Sequence, residues 1–250
     1  MHLDLKISNK QDITNALDLQ GFCLIDSTAL LRLTMLNASD LLRFSTYWDH
    51  LVEDRFLKDL GRYRFRRHSS YKVDNGQTSL MPHRAHWQSL DYNALHGGID
   101  RMFEPIDSTL NDSQSWLNLI SGVASLINAK SDSKKSQTWF TEAHQFRINT
   151  MGGIGRPTPE GAHRDGVDYV GVILIKRNLI KGGETRLFNI HGNDGLRFTL
   201  EEPWSLLLID DHRIIHETTP IQDSEGHGFR DTLILTYRSN GFQESKELNG

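Results

Sequence analysis

Residues 163–189 read HRDGVDYVGVILIKRNLIKGGETRLFN. Within them Tyr169 to Lys176 and Glu184 to Asn189 are short β-rich runs, and Lys181-Gly182-Gly183 supplies the backbone freedom that a tight turn requires. Toward the C-terminus the same texture continues in Trp204 to Ile209, Arg213 to Thr218 and Thr232 to Arg238. The turn-forming triplets His191-Gly192-Asn193 and Asn193-Asp194-Gly195 fall among these runs. Several short strands with no helices between them predict an antiparallel sandwich or barrel.

Working back from this core, Thr138 to Thr150 reads as another strand, preceded by a polar run, Lys130 to Gln137, that suits an exposed loop. Ser113 to Ala129 places Trp116, Leu117, Ile120, Val123, Ala124 and Ile127 on one helical face, with Gly122 as its weak point. Met81 to Asp100 is rich in histidine and aromatic residues but has no period that assigns it. Asp74 to Gln77 is a turn, and Arg62 to Tyr71 alternates aromatic and basic residues as a strand with one charged face. That face is expected in solvent; turned into a pocket instead, Arg62, Arg64 or Arg66 would suit a substrate carboxylate. Ala38 to about Leu60 is helix-like, Ser27 caps a helix running through Leu36, and Ser8 to about Leu19 is a helix followed by Gly21 and a strand, Phe22 to Ile25. The fold class is therefore α+β and mainly β. Residues 1–250 are expected to form one domain, helix-rich over about 1–60, with the β core over about 138–240.

The 250 residues, 37% of them hydrophobic, are enough for one sizeable core. A formal net charge of −4 argues against a general nucleic-acid surface and for a small-molecule substrate. Cys23 is the single cysteine, so an intrachain disulfide and thiolate-rich metal sites are excluded, which fits a reducing cytoplasm. Neither a secretory leader nor a membrane-length apolar segment is legible, and no membrane partner is expected.

Twelve histidines make chance pairs common, so order and context decide which of them matter. His163-Arg164-Asp165 precedes the strand at Tyr169, and residues two apart on an extended backbone project to the same side. A third ligand from a distant strand would complete a facial set, and His216, in Arg213-Ile214-Ile215-His216-Glu217-Thr218, is the natural candidate. Two histidines and one carboxylate leave three positions open on an octahedral ion, the arrangement suited to iron(II) oxygenases, with a 2-oxo acid and dioxygen in the open positions. Bound 2-oxoglutarate would need a cation for its far carboxylate. Arg230, opening the last strong strand, meets that need, and Thr232 on the same face offers a hydroxyl. A zinc hydrolase built on His212 and His216 is disfavoured because the surroundings favour strands and no HExxH glutamate is present. Gly152-Gly153-Ile154-Gly155 lacks the Lys-Ser/Thr end of a phosphate loop and suits a flexible lip near the metal.

His163-Arg164-Asp165-Gly166, Gly182-Gly183-Glu184-Thr185, Ile215-His216-Glu217-Thr218-Thr219-Pro220 and Phe229-Arg230-Asp231-Thr232-Leu233-Ile234-Leu235-Thr236-Tyr237 together resemble the iron(II) and 2-oxoglutarate dioxygenases. His144-Gln145-Phe146-Arg147 adds a likeness to the bacterial branch containing L-isoleucine hydroxylase and related amino-acid hydroxylases. The resemblance covers about the last 110 residues. It implies a double-stranded β-helix (jelly-roll, cupin-like) core with flanking helices, iron on His163, Asp165 and His216, and 2-oxoglutarate on Arg230. Thr232 stands where the family pattern often has serine. It also implies hydroxylation of a free L-amino acid or close derivative, aliphatic side chains being among the candidates, with release of succinate and carbon dioxide. Arg147 and the Arg62 to Arg67 cluster are candidates for its polar ends. Two alternatives stay open: a non-catalytic β-helix protein that binds a metal or small ligand, and a dioxygenase acting on a protein side chain.

Overall fold

The computed structural model describes residues 9–57, 61–128, 138–192 and 194–245. Asn9 accepts the Asp12 N–H and Gly21 closes the first helix at φ 81°, which delimits α1 (Lys10–Gln20). Next come β1 (Phe22–Ile25) and α2 (Ser27–Thr34), the latter capped by Asp26 rather than Ser27. A reciprocal Asn37–Asp40 capping box starts α3 (Ala38–Ser45).

The helix expected to reach Leu60 stops at Ser45. Thr46–His50 tighten into a 3-10 turn, and β2 (Val52–Glu53) then pairs with β3 (Arg64–Asp74). The cause is tertiary: the buried Trp48 indole donates toward the backbone oxygens of Phe146 and Thr232, at 3.1 and 3.2 Å, and pins the chain to the sheet. Asn75-Gly76, both at positive φ, turn β3 into β4 (Gln77–Leu80).

Met81 to Asp107 is irregular apart from an isolated His86–Arg101 bridge. Short α4 (Ser108–Asn111) and α5 (Gln114–Asn128) follow. The expected loop at Lys130 to Gln137 lies outside the described residues, as does Asn193 of the expected turns. The remaining strands are β5 (Trp139–Asn149), β6 (Ile154–Gly155), β7 (Tyr169–Asn178), β8 (Ile180–Gly182), β9 (Glu184–Asn189), β10 (Gly195–Thr199), β11 (Leu206–Asp210), β12 (Ile214–Thr218), β13 (Ile221–Asp223) and β14 (Phe229–Arg238).

The largest sheet runs β1-β11-β7-β14-β5-β3-β2, with β4 beside β3. Two smaller sheets run β10-β9-β12 and β6-β13-β8, and the pairings are antiparallel throughout. Helices α1, α2, α3 and α5 cover one face of the large sheet, burying Leu17, Trp116 and Ile120 with Leu206, Leu208, Leu233 and Leu235. The other face turns inward, where Val170, Leu174, Leu207 and Ile209 pack with Leu187 and Ile214 of the smaller sheet. Strand β11 is thus apolar on both faces, which explains its unbroken Leu-Leu-Leu-Ile run. The result is the expected jelly-roll core with helices outside it. Among the described residues, no helix is long and apolar enough to cross a membrane.

Candidate active site

The inner face of the large sheet and the edge of β12 enclose a cavity whose lining includes His163, Asp165, His216, Arg230 and Thr232. His163 and His216 sit directly opposite each other. Each donates its backbone N–H to the other's carbonyl, at 3.1 and 2.9 Å, so the two rings emerge side by side with centroids 4.8 Å apart. His163 Nδ1 lies 2.9 Å from the Gly161 carbonyl, an arrangement in which Nδ1 donates to that carbonyl and Nε2 is left facing the Glu160 and Asp165 carboxylates, at 3.5 and 3.8 Å.

Asp165 Oδ2 approaches His216 Nε2 to 3.3 Å, yet that nitrogen is buried without an aligned hydrogen bond. The ligand atoms of His163, Asp165 and His216 all lie within 4.8 Å of one another. Two imidazoles and a carboxylate, open on the cavity side, form a donor set that fits iron(II). Burial opposes ionisation of Asp165, but the His216 and His163 imidazoles outweigh it and hold the carboxyl well below its ordinary range. Burial likewise opposes protonation of His216, and the Asp165 and Asp211 carboxylates outweigh it, raising its pKa.

The loop carrying Asp165 is held by residues that the sequence did not single out. Asp211, in the tight turn between β11 and β12, accepts the backbone N–H groups of Asp165, Gly166 and Val167 at 3.0, 2.8 and 3.1 Å. Gly166 has φ 75°, and a Cβ there would stand 2.4 Å from the Tyr92 ring, so both the turn and the packing demand glycine. Gln88 donates to Asp165 Oδ1 at 3.1 Å, while its own oxygen accepts from Arg101 and Asn93 at 2.8 and 3.2 Å. Those two donors fix which end of the amide faces Asp165. Gln88 belongs to the stretch whose only sequence signal was its density of histidine and aromatic residues.

Arg230 lies on β14, 3% exposed, with Nε and Nη2 buried and without a hydrogen-bond partner among the described residues. Burial and the neighbouring Arg177 lower its pKa to about 10 against the opposing effect of Asp231, so it stays cationic at neutral pH. Thr232 follows on the same inner face, also 3% exposed.

The expectation of a solvated basic face on β3 is corrected. Arg64, Arg66 and His68 are buried, and Arg64 and Arg66 line the cavity. Asp54 compensates them, 2.7 Å from Arg64 Nε and 3.8 Å from Arg66 Nη1. Arg66 lies 3.6 and 4.4 Å from the Phe103 and Phe146 ring centroids and donates to His144 Nδ1 at 2.7 Å. Deeper in, His68 and His86 bracket Glu142 at 3.0 and 3.1 Å. Arg62 and Arg147 are elsewhere: the exposed Arg62 pairs with Glu53, and Arg147 donates twice to Asp231 at 2.8 Å and to Asp49 at 3.1 Å. The glycine-rich segment at 152–155 contains a turn and β6, which pairs with β13.

A family model described as 2OG-Fe dioxygenase matches residues 45–236. The chain is 45% identical to a bsmA homolog from Methylobium petroleophilum PM1, over 98% of this chain and 99% of that one, with a TM-score of 0.89. IDO from Bacillus thuringiensis superposes with a TM-score of 0.74 at 18% identity, over 96% of this chain and all of that one. The Fe(II)/α-ketoglutarate-dependent dioxygenase TqaL gives 0.70 at 14% identity, over 96% of this chain and 93% of that one. These last two share the fold. Among curated proteins there is no significant match.

Proposed function

The chain belongs to the 2OG-Fe dioxygenase family, and on that premise we propose that His163, Asp165 and His216 hold its iron(II) while Arg230, with Thr232 beside it, takes the far carboxylate of 2-oxoglutarate. The observation that carries this reading is the grouping of three ligand atoms within 4.8 Å of one another in the cavity that also contains Arg230, whose Nε and Nη2 have no hydrogen-bond partner among the described residues. With 2-oxoglutarate and dioxygen, bound iron supplies the oxidising chemistry that yields succinate, carbon dioxide and, in this reading, a hydroxylated product.

The protein's part is geometric. The Gly161 carbonyl keeps the His163 proton on Nδ1, Gln88 and Asp211 hold the carboxylate ligand and its loop, and Arg230 orients the co-substrate through its far end. Val170, Val172 and Ile234 give that space an apolar wall that excludes water from the reacting groups. The substrate in this reading is a free L-amino acid or close derivative, and residues 1–250 act as one catalytic domain. The motif likeness to amino-acid hydroxylases and a lining that combines apolar with charged residues support it.

Succinate formation coupled to substrate oxidation tests the assignment. His163→Ala and Asp165→Ala are expected to abolish it, whereas Arg230→Ala mainly raises the KM for 2-oxoglutarate. Unchanged turnover in His163→Ala would remove the proposed metal centre.

A further inference from the structure

Beyond β14, residues 239–245 fold back onto the loop that carries Asp165, and several contacts fasten them there. Ser239 donates its N–H and its hydroxyl to Asp168 Oδ2, at 2.6 and 2.8 Å. Phe242 lies edge-on to Phe140 with ring centroids 5.2 Å apart, and the Arg84 guanidinium stands 4.3 Å from the Phe242 centroid. Arg84 also donates Nη2 to the Gln243 carbonyl at 3.3 Å and to Glu244 Oε1 at 3.0 Å.

This segment delivers one side chain to the loop. Gln243 Nε2 donates to the backbone carbonyls of Asp165 and Gly166, at 2.8 and 3.0 Å. A primary amide has two N–H bonds, so one nitrogen serves both carbonyls, and two acceptors fix which end of the amide faces them. The N–H groups of the same two residues go to Asp211, and the Asp165 carboxylate takes a bond from Gln88. Asp165 is thereby held at its N–H, its carbonyl and its carboxylate by side chains from three separate parts of the chain. Gln243 also lines the cavity itself and, with Arg84 and Glu244, a groove beside it.

We propose that Gln243 is a positioning residue for the metal site, and that Arg84 acts through it by latching the C-terminal segment onto the Asp165 loop. The inference rests on Asp165 being an iron(II) ligand. Partners that hold a ligating residue fix where its carboxylate points, and losing them changes metal affinity. With the segment in place, Asp165 is preorganised. With it released, the loop keeps its Asp211 anchor and loses the donors that fix its carbonyls.

Anaerobic iron(II) titration of the full chain tests this in the wild type, Gln243→Met, Gln243→Glu, Arg84→Gln and the Gln243→Met/Arg84→Gln pair. Gln243→Met keeps the length and removes the donors, whereas Gln243→Glu keeps the shape and sets acceptors against both carbonyls. Iron(II) affinity is expected to fall by about tenfold in Gln243→Met and further in Gln243→Glu. The denaturant midpoint of the metal-free protein stays at its wild-type value, because Gln243 is only half-buried. Arg84→Gln weakens iron(II) binding too, and the pair loses no more than Gln243→Met alone, since Arg84 then has nothing to act through. Wild-type affinity in both Gln243 variants would overturn the inference. So would a loss matched by a falling denaturant midpoint, the result expected of a purely structural contact. Additive losses in the pair would overturn the latch assigned to Arg84. His163→Ala, titrated alongside, separates the two levels: unchanged iron(II) binding there would overturn the metal assignment and this inference with it, whereas binding lost there and unchanged in the Gln243 variants would overturn this inference alone.

Discussion

A Gln88→Ala exchange removes the N–H that Asp165 Oδ1 accepts and also strands the donors of Arg101 and Asn93 that point at the Gln88 oxygen. Outer partners of ligating carboxylates tune metal affinity, so anaerobic iron(II) titration of Gln88→Ala should show binding weakened by roughly 10- to 100-fold. An unchanged affinity would mean that Asp165 is held without it. Asp211→Ala acts differently, because it deprives three backbone N–H groups of their acceptor. Its expected cost is on the order of 3 kcal/mol in denaturant unfolding, with iron affinity falling as well. His163, Asp165, His216 and Arg230 were legible as candidates because strand period and chain order point to them, and they line one cavity. Gln88 and Arg101 were not: they come from loops, where no period links sequence position to direction.

Strand β3 was legible as an element and misread in its orientation. Alternation in Arg62 to Tyr71 predicted the strand, but charged residues are rarely buried unless paired, and the carboxylate that pairs Arg64 and Arg66 is Asp54, ten residues before Arg64. Helix α3 ended early for a similar reason, since Trp48 finds its acceptors on β5 and β14, far along the chain. Helix α5 was read correctly, and its Gly122 now has a physical account. A Cβ there would lie 2.8 Å from Thr34 Cβ and 2.9 Å from Thr34 Cα, so this glycine lets α2 cross closely over α5. Gly-to-Ala in a helix interior ordinarily stabilises by about 1 kcal/mol. Gly122→Ala is expected to reverse that sign, lowering the unfolding free energy by about 1–3 kcal/mol as the helices separate. A melting temperature raised by the exchange would contradict the close packing.

Over the whole molecule, His68, His86 and His144 form a buried set of imidazoles around Glu142 whose charge state couples stability to pH. Burial lowers the His68 pKa from 6.5 to about 4, more than Glu142 raises it, and burial also lowers His86 and His144. A histidine held neutral in the fold takes up a proton on unfolding, so the stability tied to it is complete above pH 6.5 and declines as the pH falls toward 4. Thermal unfolding across that window should show a falling melting temperature with net proton uptake. A flat profile would mean that these rings are charged or solvated in the fold. The broad architecture was legible because several β-rich runs without intervening helices admit few folds. The chemistry of the buried imidazoles was not, since it depends on β3, β5 and the irregular 81–107 segment meeting around Glu142.

The account stands on iron(II) at His163, Asp165 and His216 together with 2-oxoglutarate reaching Arg230. Its most direct measurement is an anaerobic titration of metal-free protein with iron(II) and 2-oxoglutarate, following the visible metal-to-ligand charge-transfer absorption, in the wild type and in Arg230→Ala. The account predicts a band that saturates in the wild type and needs at least about tenfold more 2-oxoglutarate in the variant, as expected for loss of a buried charged partner. No band from folded wild-type protein, or an identical titration in Arg230→Ala, would contradict it.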